Sequence, residues 1–169
     1  MQLGFITVPF ADRSLEETAR WAADKGFEAL EICCWPRESA DRRRYAGVTH
    51  VDVETLDAPA AADVRAMLAA HGISISALGY YPNNLHPDPE HRTAVNGHLR
   101  KVVEAAQLLG VETVCTFVGR DPSRNLPDNW TEFDRVWPGL VAHAENHGVR
   151  IAIENCPMLF SYDEWPGGH

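Results

Sequence analysis

Short apolar runs and longer amphipathic runs alternate from one end of the chain to the other. Residues 3–8 (LGFITV) read as a strand and residues 14–25 (SLEETARWAADK) as a helix. The helix opens on a Ser14-x-x-Glu17 capping box, in which two side chains satisfy backbone N–H groups that a first turn leaves unbonded, and it closes at Gly26. A second strand follows at 28–34 (EALEICC), then a long polar loop, then a helix from about residue 59 to residue 70 that stops at His71-Gly72. The third strand is predicted at 73–78, the third helix at about 90–109 before Gly110, and the fourth strand at 112–118. The fourth helix is predicted at about 130–147 before Gly148, and the fifth strand at 150–155 (RIAIEN). A glycine after each of the four helices provides the left-handed residue that lets the chain turn back.

Strands rich in Ile, Val, Leu and Cys, each separated by a helix, are the pattern of a parallel sheet covered by helices, an α/β fold. A doubly wound sheet usually carries a glycine-rich turn after its first strand, whereas the turn here is VPFADRS, without glycine. The pattern therefore predicts a (β/α)8 TIM barrel. Such a barrel closes with about eight strand–helix units in about 250 residues. Five strands are predicted here, so residues 1–169 are expected to be the N-terminal portion of a single barrel domain, about five β/α units of a longer protein. The fifth strand is followed by CPMLFSYDEWPGGH, where another helix is expected.

Composition narrows the partners. At 45% hydrophobic and 23% charged, the chain has the make-up of an ordinary globular domain. A formal charge of −9 argues against nucleic acid, whose binders present a basic face. No apolar run approaches the roughly 20 residues that cross a bilayer, and MQLGFITVPF lacks the basic start and apolar stretch of a signal peptide. A cytoplasmic location without membrane contact is expected, and a homo-oligomer is compatible with the composition. Cys33, Cys34, Cys115 and Cys156 match no zinc-site spacing and read as small apolar residues kept reduced. Arg42, Arg43 and Arg44 read as a solvated loop.

Alternation along the strands picks out candidate chemistry. In RIAIEN, the bulky Ile151 and Ile153 share one face, and the small Ala152 shares the other with Glu154. The small face suits a barrel interior, which places Glu154 at the C-terminal mouth, where the active sites of such barrels lie. The second strand repeats the arrangement, with Ala29, Glu31 and Cys33 on one face. Burying an unpaired carboxylate costs several kcal/mol. A divalent cation with oxygen ligands is the natural compensation, Mg²⁺ or Mn²⁺ first, although a buried Arg or Lys partner would also serve. The loops after the strands add Trp35 in CCWPRE, then Tyr80, Asn83, Asn84 and His86 in YYPNNLHP, and Arg120 in FVGRDPS. An aromatic floor with amide and guanidinium donors suits a sugar-like ligand, while each of these residues alone also reads as loop packing or turn formation.

The segments LGFITVPF, GFEALEI, LGVETVCTFVG and above all GVRIAIENCPM resemble the xylose isomerase-like barrel superfamily, in particular its sugar phosphate isomerase/epimerase group. The resemblance implies a divalent-metal isomerase or epimerase of a small sugar or polyol, acting by proton transfer next to a carbonyl. It assigns metal binding and catalysis to Glu154, a supporting or substrate contact to Asn155 and the family's second-strand glutamate to Glu31, and the loop residues Trp35, Asn83, His86 and Arg120 complete the expected substrate-binding set. It implies Mn²⁺ or Mg²⁺, with Co²⁺ or Zn²⁺ also compatible. The family's other ligands, an Asp, a His and a second acidic residue, come from later strands. Three alternatives stand beside this reading: an inosose-type dehydratase of the same superfamily, a non-catalytic ligand-binding barrel, and an abasic-site endonuclease. The last ranks lowest, because LGYYPNN and TFVGRD carry no histidine at the third and fourth strand ends.

Overall fold

The structure, a computed structural model, describes residues 1–37 and 47–155. Arg42, Arg43, Arg44, Cys156 and the stretch after Asn155 lie outside the described residues. Five parallel strands form one sheet in the order of the chain: β1 (Gly4–Ile6), β2 (Ala29–Cys33), β3 (Ser74–Gly79), β4 (Thr113–Thr116) and β5 (Arg150–Ile153). Between them run α1 (Leu15–Asp24), α2 (Ala58–Ala70), α3 (Pro89–Leu109) and α4 (Leu126–Asn146). Successive helices pack on one another in turn, α1 on α2, α2 on α3 and α3 on α4. Strands in chain order under helices in chain order describe the arc of a TIM barrel, since a doubly wound sheet reverses its strand order and splits its helices between two faces. The expected α/β partial barrel is what the chain forms.

The local signals act as anticipated. Ser14 accepts from the Glu17 N–H at 3.1 Å, and the Glu17 carboxylate accepts from the Ser14 N–H at 2.9 Å. The glycines after the helices, Gly26, Gly72, Gly110 and Gly148, all have positive φ, between 67° and 80°. Several boundaries differ from expectation, with β4 ending at Thr116 and β5 at Ile153, each two residues early. The first strand stops at Ile6 and the chain turns through a short 3-10 segment, Val8–Phe10, opened by Pro9. The fourth helix begins at Leu126, a turn before the predicted residue 130, because Asn125 caps it by accepting from the Asp128 N–H at 2.9 Å. Pro127 occupies the first turn, where no N–H is needed. The helix also continues through Pro138, carried by the burial of Trp137, Leu140 and Ala144 against the core.

The face of the sheet toward the helices holds the tightest packing: Leu30, Ile32, Leu78 and Val114 are fully buried among Leu68, Leu99, Val102, Val103 and Leu140. Side chains on the opposite face, Ile6, Glu31, Cys115 and Ala152, keep partial solvent access. The register shifts between Leu30 and Glu31, so that Leu30 pairs Ile75 but Glu31 pairs Ala77. This bulge inserts Ser76 and brings Gly79 alongside the end of β2, where Cys33 pairs it.

Candidate active site

The C-terminal ends of the strands bring a small polar group together on the inner face. Glu31 near the end of β2 accepts a short hydrogen bond from the Tyr81 hydroxyl, just past β3. Gly79 makes the space for it: a Cβ there would stand 2.6 Å from Glu31 Oε1 and 3.0 Å from Tyr81 Cε2. Glu154 follows β5 directly, its N–H bonded to the Thr116 carbonyl of β4 at 3.0 Å. The Cys115 thiol lies between the two acids in register, since Cys115 pairs Gly79 on one side and Ala152 on the other.

Burial is the main force on these groups. It pushes the Glu31 carboxyl above its ordinary range, against the lowering effect of the Tyr81 hydrogen bond, and the nearby Glu154 charge pushes the same way as burial. The Tyr81 phenol is raised by burial and by the Glu31 charge, so it remains a donor. Burial, then the Glu31 charge, pushes the Cys115 thiol up to about 11, which keeps it protonated and unreactive at neutral pH. Among the described residues no Arg or Lys forms an ion pair with Glu31 or Glu154.

The other sequence-derived candidates fall into separate places. Trp35 is buried and stacks on the Tyr81 ring at 6.0 Å, and Phe117 packs on Tyr81 at 4.8 Å, so the tyrosine that holds Glu31 is gripped by aromatic neighbours. Asn83 is a brace between two loops: Nδ2 donates to the Arg120 carbonyl at 2.8 Å, and Oδ1 accepts from the Arg120 N–H at 2.9 Å and the Leu85 N–H at 3.1 Å. Asn84, fully buried, donates to the Phe117 carbonyl at 2.7 Å and to Thr116 Oγ1 at 3.1 Å. His86 sits in the turn that caps α3, its Nδ1 accepting from the Asp88 N–H at 3.1 Å. Arg120 is half-buried, with its backbone held by Asn83, and Asn155 is exposed beside Glu154.

Glu31 and Trp35 thus join one group through Tyr81, on which Glu154 acts by its charge, while Asn83 and Arg120 form a second and His86 stands apart. Tyr81 and Cys115 were not singled out from the sequence. The signal for Tyr81 was available: alternation puts it on the face of Gly79, whereas Tyr80 turns to the helices, against His98 at 4.6 Å.

The chain matches the family model "Xylose isomerase-like TIM barrel" over residues 19–166. Among solved structures it is similar to a D-psicose 3-epimerase with D-tagatose from Clostridium cellulolyticum H10, with TM-score 0.68 and 16% identity over 98% of this chain and 55% of that one. It is also similar to the probable 3-DHS dehydratase AsbF from Bacillus anthracis, with TM-score 0.66 and 13% identity over 93% of this chain and 53% of that one. A third is the IolI protein with a bound zinc atom, with TM-score 0.63 and 17% identity over 90% of this chain and 51% of that one. No curated protein matches the sequence significantly. The chain therefore spans about half the length of the structures it resembles. The match over most of its residues identifies the chain as a member of the xylose isomerase-like TIM barrel family.

Proposed function

We propose that this chain carries the Glu154 side of the mouth of a sugar isomerase or epimerase that works by proton transfer next to a carbonyl. The observation that carries the reading is the pair Glu31 and Glu154. These two carboxylates come from different strands on the inner face, one held above its usual range by burial and by the other's charge, and no Arg or Lys among the described residues balances them. Such a donor set fits a hard divalent cation, with Glu154 as its ligand and Glu31 close enough to be relieved by it. When bound, the cation would polarise the carbonyl and hydroxyl oxygens of a keto sugar and make the adjacent C–H more acidic.

The protein's own groups do the rest. Glu154, exposed at the mouth, takes the proton from carbon. Glu31, fixed by the Tyr81 hydroxyl, accepts a hydrogen bond from a sugar hydroxyl, and Asn155, exposed beside Glu154, offers an amide donor from the rim. Delivery of a proton to the opposite face of the same carbon by a second carboxyl facing Glu154 completes an epimerisation, and return of the proton from Glu154 to the neighbouring carbon completes an isomerisation. Loss of a hydroxyl from the neighbouring carbon would instead complete a dehydration, so the inosose-type dehydratase reading shares the first step and differs in product.

The test is solvent exchange in the intact protein. Incubated in D₂O with ketohexoses and Mn²⁺, it is expected to place deuterium on the carbon next to the carbonyl, read by NMR. Glu154→Gln should slow that exchange by about 10²- to 10⁴-fold with an unchanged circular dichroism spectrum. Near-normal exchange in the variant removes Glu154 from the proton transfer, and a dehydrated product would select the alternative reading.

A further inference from the structure

The outer helical layer carries a second cluster of ligand-type side chains, far from the mouth. His143 and His147 stand one turn apart at the end of α4, and Glu104 faces them from α3. One ligand atom from each residue lies within 4.8 Å of the other two. The cluster sits at the opposite end of the barrel wall from Glu154. The Ala144 carbonyl, between the two histidines, accepts from the Val149 N–H at 3.0 Å just before β5 starts, whereas Glu154 follows the end of that strand.

We propose that Glu104, His143 and His147 form a site for a transition metal of the zinc class, which clasps α3 to α4. Three observations carry this. First, the donor chemistry is right: two imidazoles and a carboxylate suit zinc, with the fourth position left to water. Second, His147 Nδ1 lies 2.8 Å from the His143 carbonyl, an acceptor only, so Nδ1 carries the proton and Nε2 keeps the lone pair that a metal takes. Third, His143 Nε2 is shielded from solvent and makes no hydrogen bond, yet it lies 3.3 Å from Glu104 Oε1. In a tetrahedral zinc site with bonds of about 2.0–2.1 Å, neighbouring ligand atoms stand about 3.3–3.4 Å apart. The His143–Glu104 pair already has that spacing, and His147 supplies the third ligand atom within 4.8 Å of the other two. Glu104 is half-exposed and His143 is 21% exposed, which leaves the metal a way in.

The test is a calorimetric titration of the 169-residue chain with Zn²⁺ after removal of metals by chelation, repeated with Co²⁺ and read in the visible spectrum. The expected result is a Zn²⁺ equivalent whose affinity falls about tenfold or more in His147→Ala and in Glu104→Gln, and persists in Glu154→Gln. Co²⁺ in the site should give the intense visible bands of a four-coordinate ion, lost in His147→Ala. His147 and Glu104 lie on the surface of the helical layer, so both variants should keep the metal-free melting temperature of the parent, which separates a lost ligand from a lost fold. Absence of Zn²⁺ binding, binding unchanged in His147→Ala, or binding abolished by Glu154→Gln alone would each overturn the proposal. The last of these would move the metal to the mouth.

Discussion

Glu31 is a carboxyl that folding makes costly to ionise. Its pKa is raised chiefly by burial, so the folded protein holds that proton more tightly than the unfolded chain does. The stability this confers is fully present below the ordinary value of 4.5 and is lost as pH rises through the raised folded value. Glu31→Gln keeps an oxygen for the Tyr81 hydroxyl and removes the charge. In metal-free buffer at pH 7 the variant should melt higher than the parent by about 2–4 °C, which corresponds to about 1 kcal/mol in a domain of this size. The difference should vanish below pH 4.5, and melting curves across that range check it. An identical pH dependence in parent and variant would show that Glu31 stays charged at no cost. The same residue shows what a sequence can say of a site. Its inward direction was legible from alternation in EALEICC, as was that of Tyr81 from its place two residues after Gly79, but their meeting was not, because a bulge that no periodicity announces sets the register of β3 against β2.

The two loops that frame the mouth, after β3 and after β4, are stitched by buried amides. Asn84 supplies the Phe117 carbonyl with its donor, and Asn83 satisfies both backbone groups of Arg120. Gly119 lies between them with φ +83°, and a Cβ there would meet Asn83 Oδ1, the Asn84 nitrogen at 2.6 Å and the Leu85 nitrogen at 2.7 Å. Asn84→Ala should cost about 1–3 kcal/mol by leaving the buried Phe117 carbonyl unpaired. Gly119→Ala should cost about 3 kcal/mol, since the strained φ and the backbone collision act together. Urea denaturation checks both, and losses under about 0.5 kcal/mol would mean that the loops are held elsewhere. These asparagines read equally well in the sequence as sugar-binding amides or as turn formers. The structure spends the Asn83 amide, and the Asn84 donor, on the protein's own backbone.

Seen whole, the wall has two strand edges. Among the described residues β1 pairs only β2 and β5 pairs only β4, so each edge leaves a row of backbone groups without a strand partner. Ile153, alternating toward the helical side of β5, is 47% exposed. An apolar side chain beside an open edge favours edge-to-edge pairing. The 169-residue chain should therefore associate as its concentration rises, and Ile153→Lys should return it toward monomer in size-exclusion chromatography with light scattering. A profile unaffected by the substitution would take the β5 edge out of the contact. The net charge of −9 opposes association, so the shift should be larger at high salt.

The order of strands and helices, the Ser14 cap of α1, the glycine stops, the α/β class and the inward faces of β2 and β5 were all settled by amino-acid order alone. Each rests on forces that act within a few residues: backbone groups seeking caps, φ preferences, and the periods of two and 3.6 that separate faces. The bulge opposite Leu30, the Tyr81 clamp on Glu31, the loop braces at Asn83 and Asn84, and the Glu104, His143 and His147 cluster were decided only in three dimensions. They depend on burial and on distances between residues tens of positions apart. Those quantities exist only once the helices have packed on the sheet and displaced water from between them.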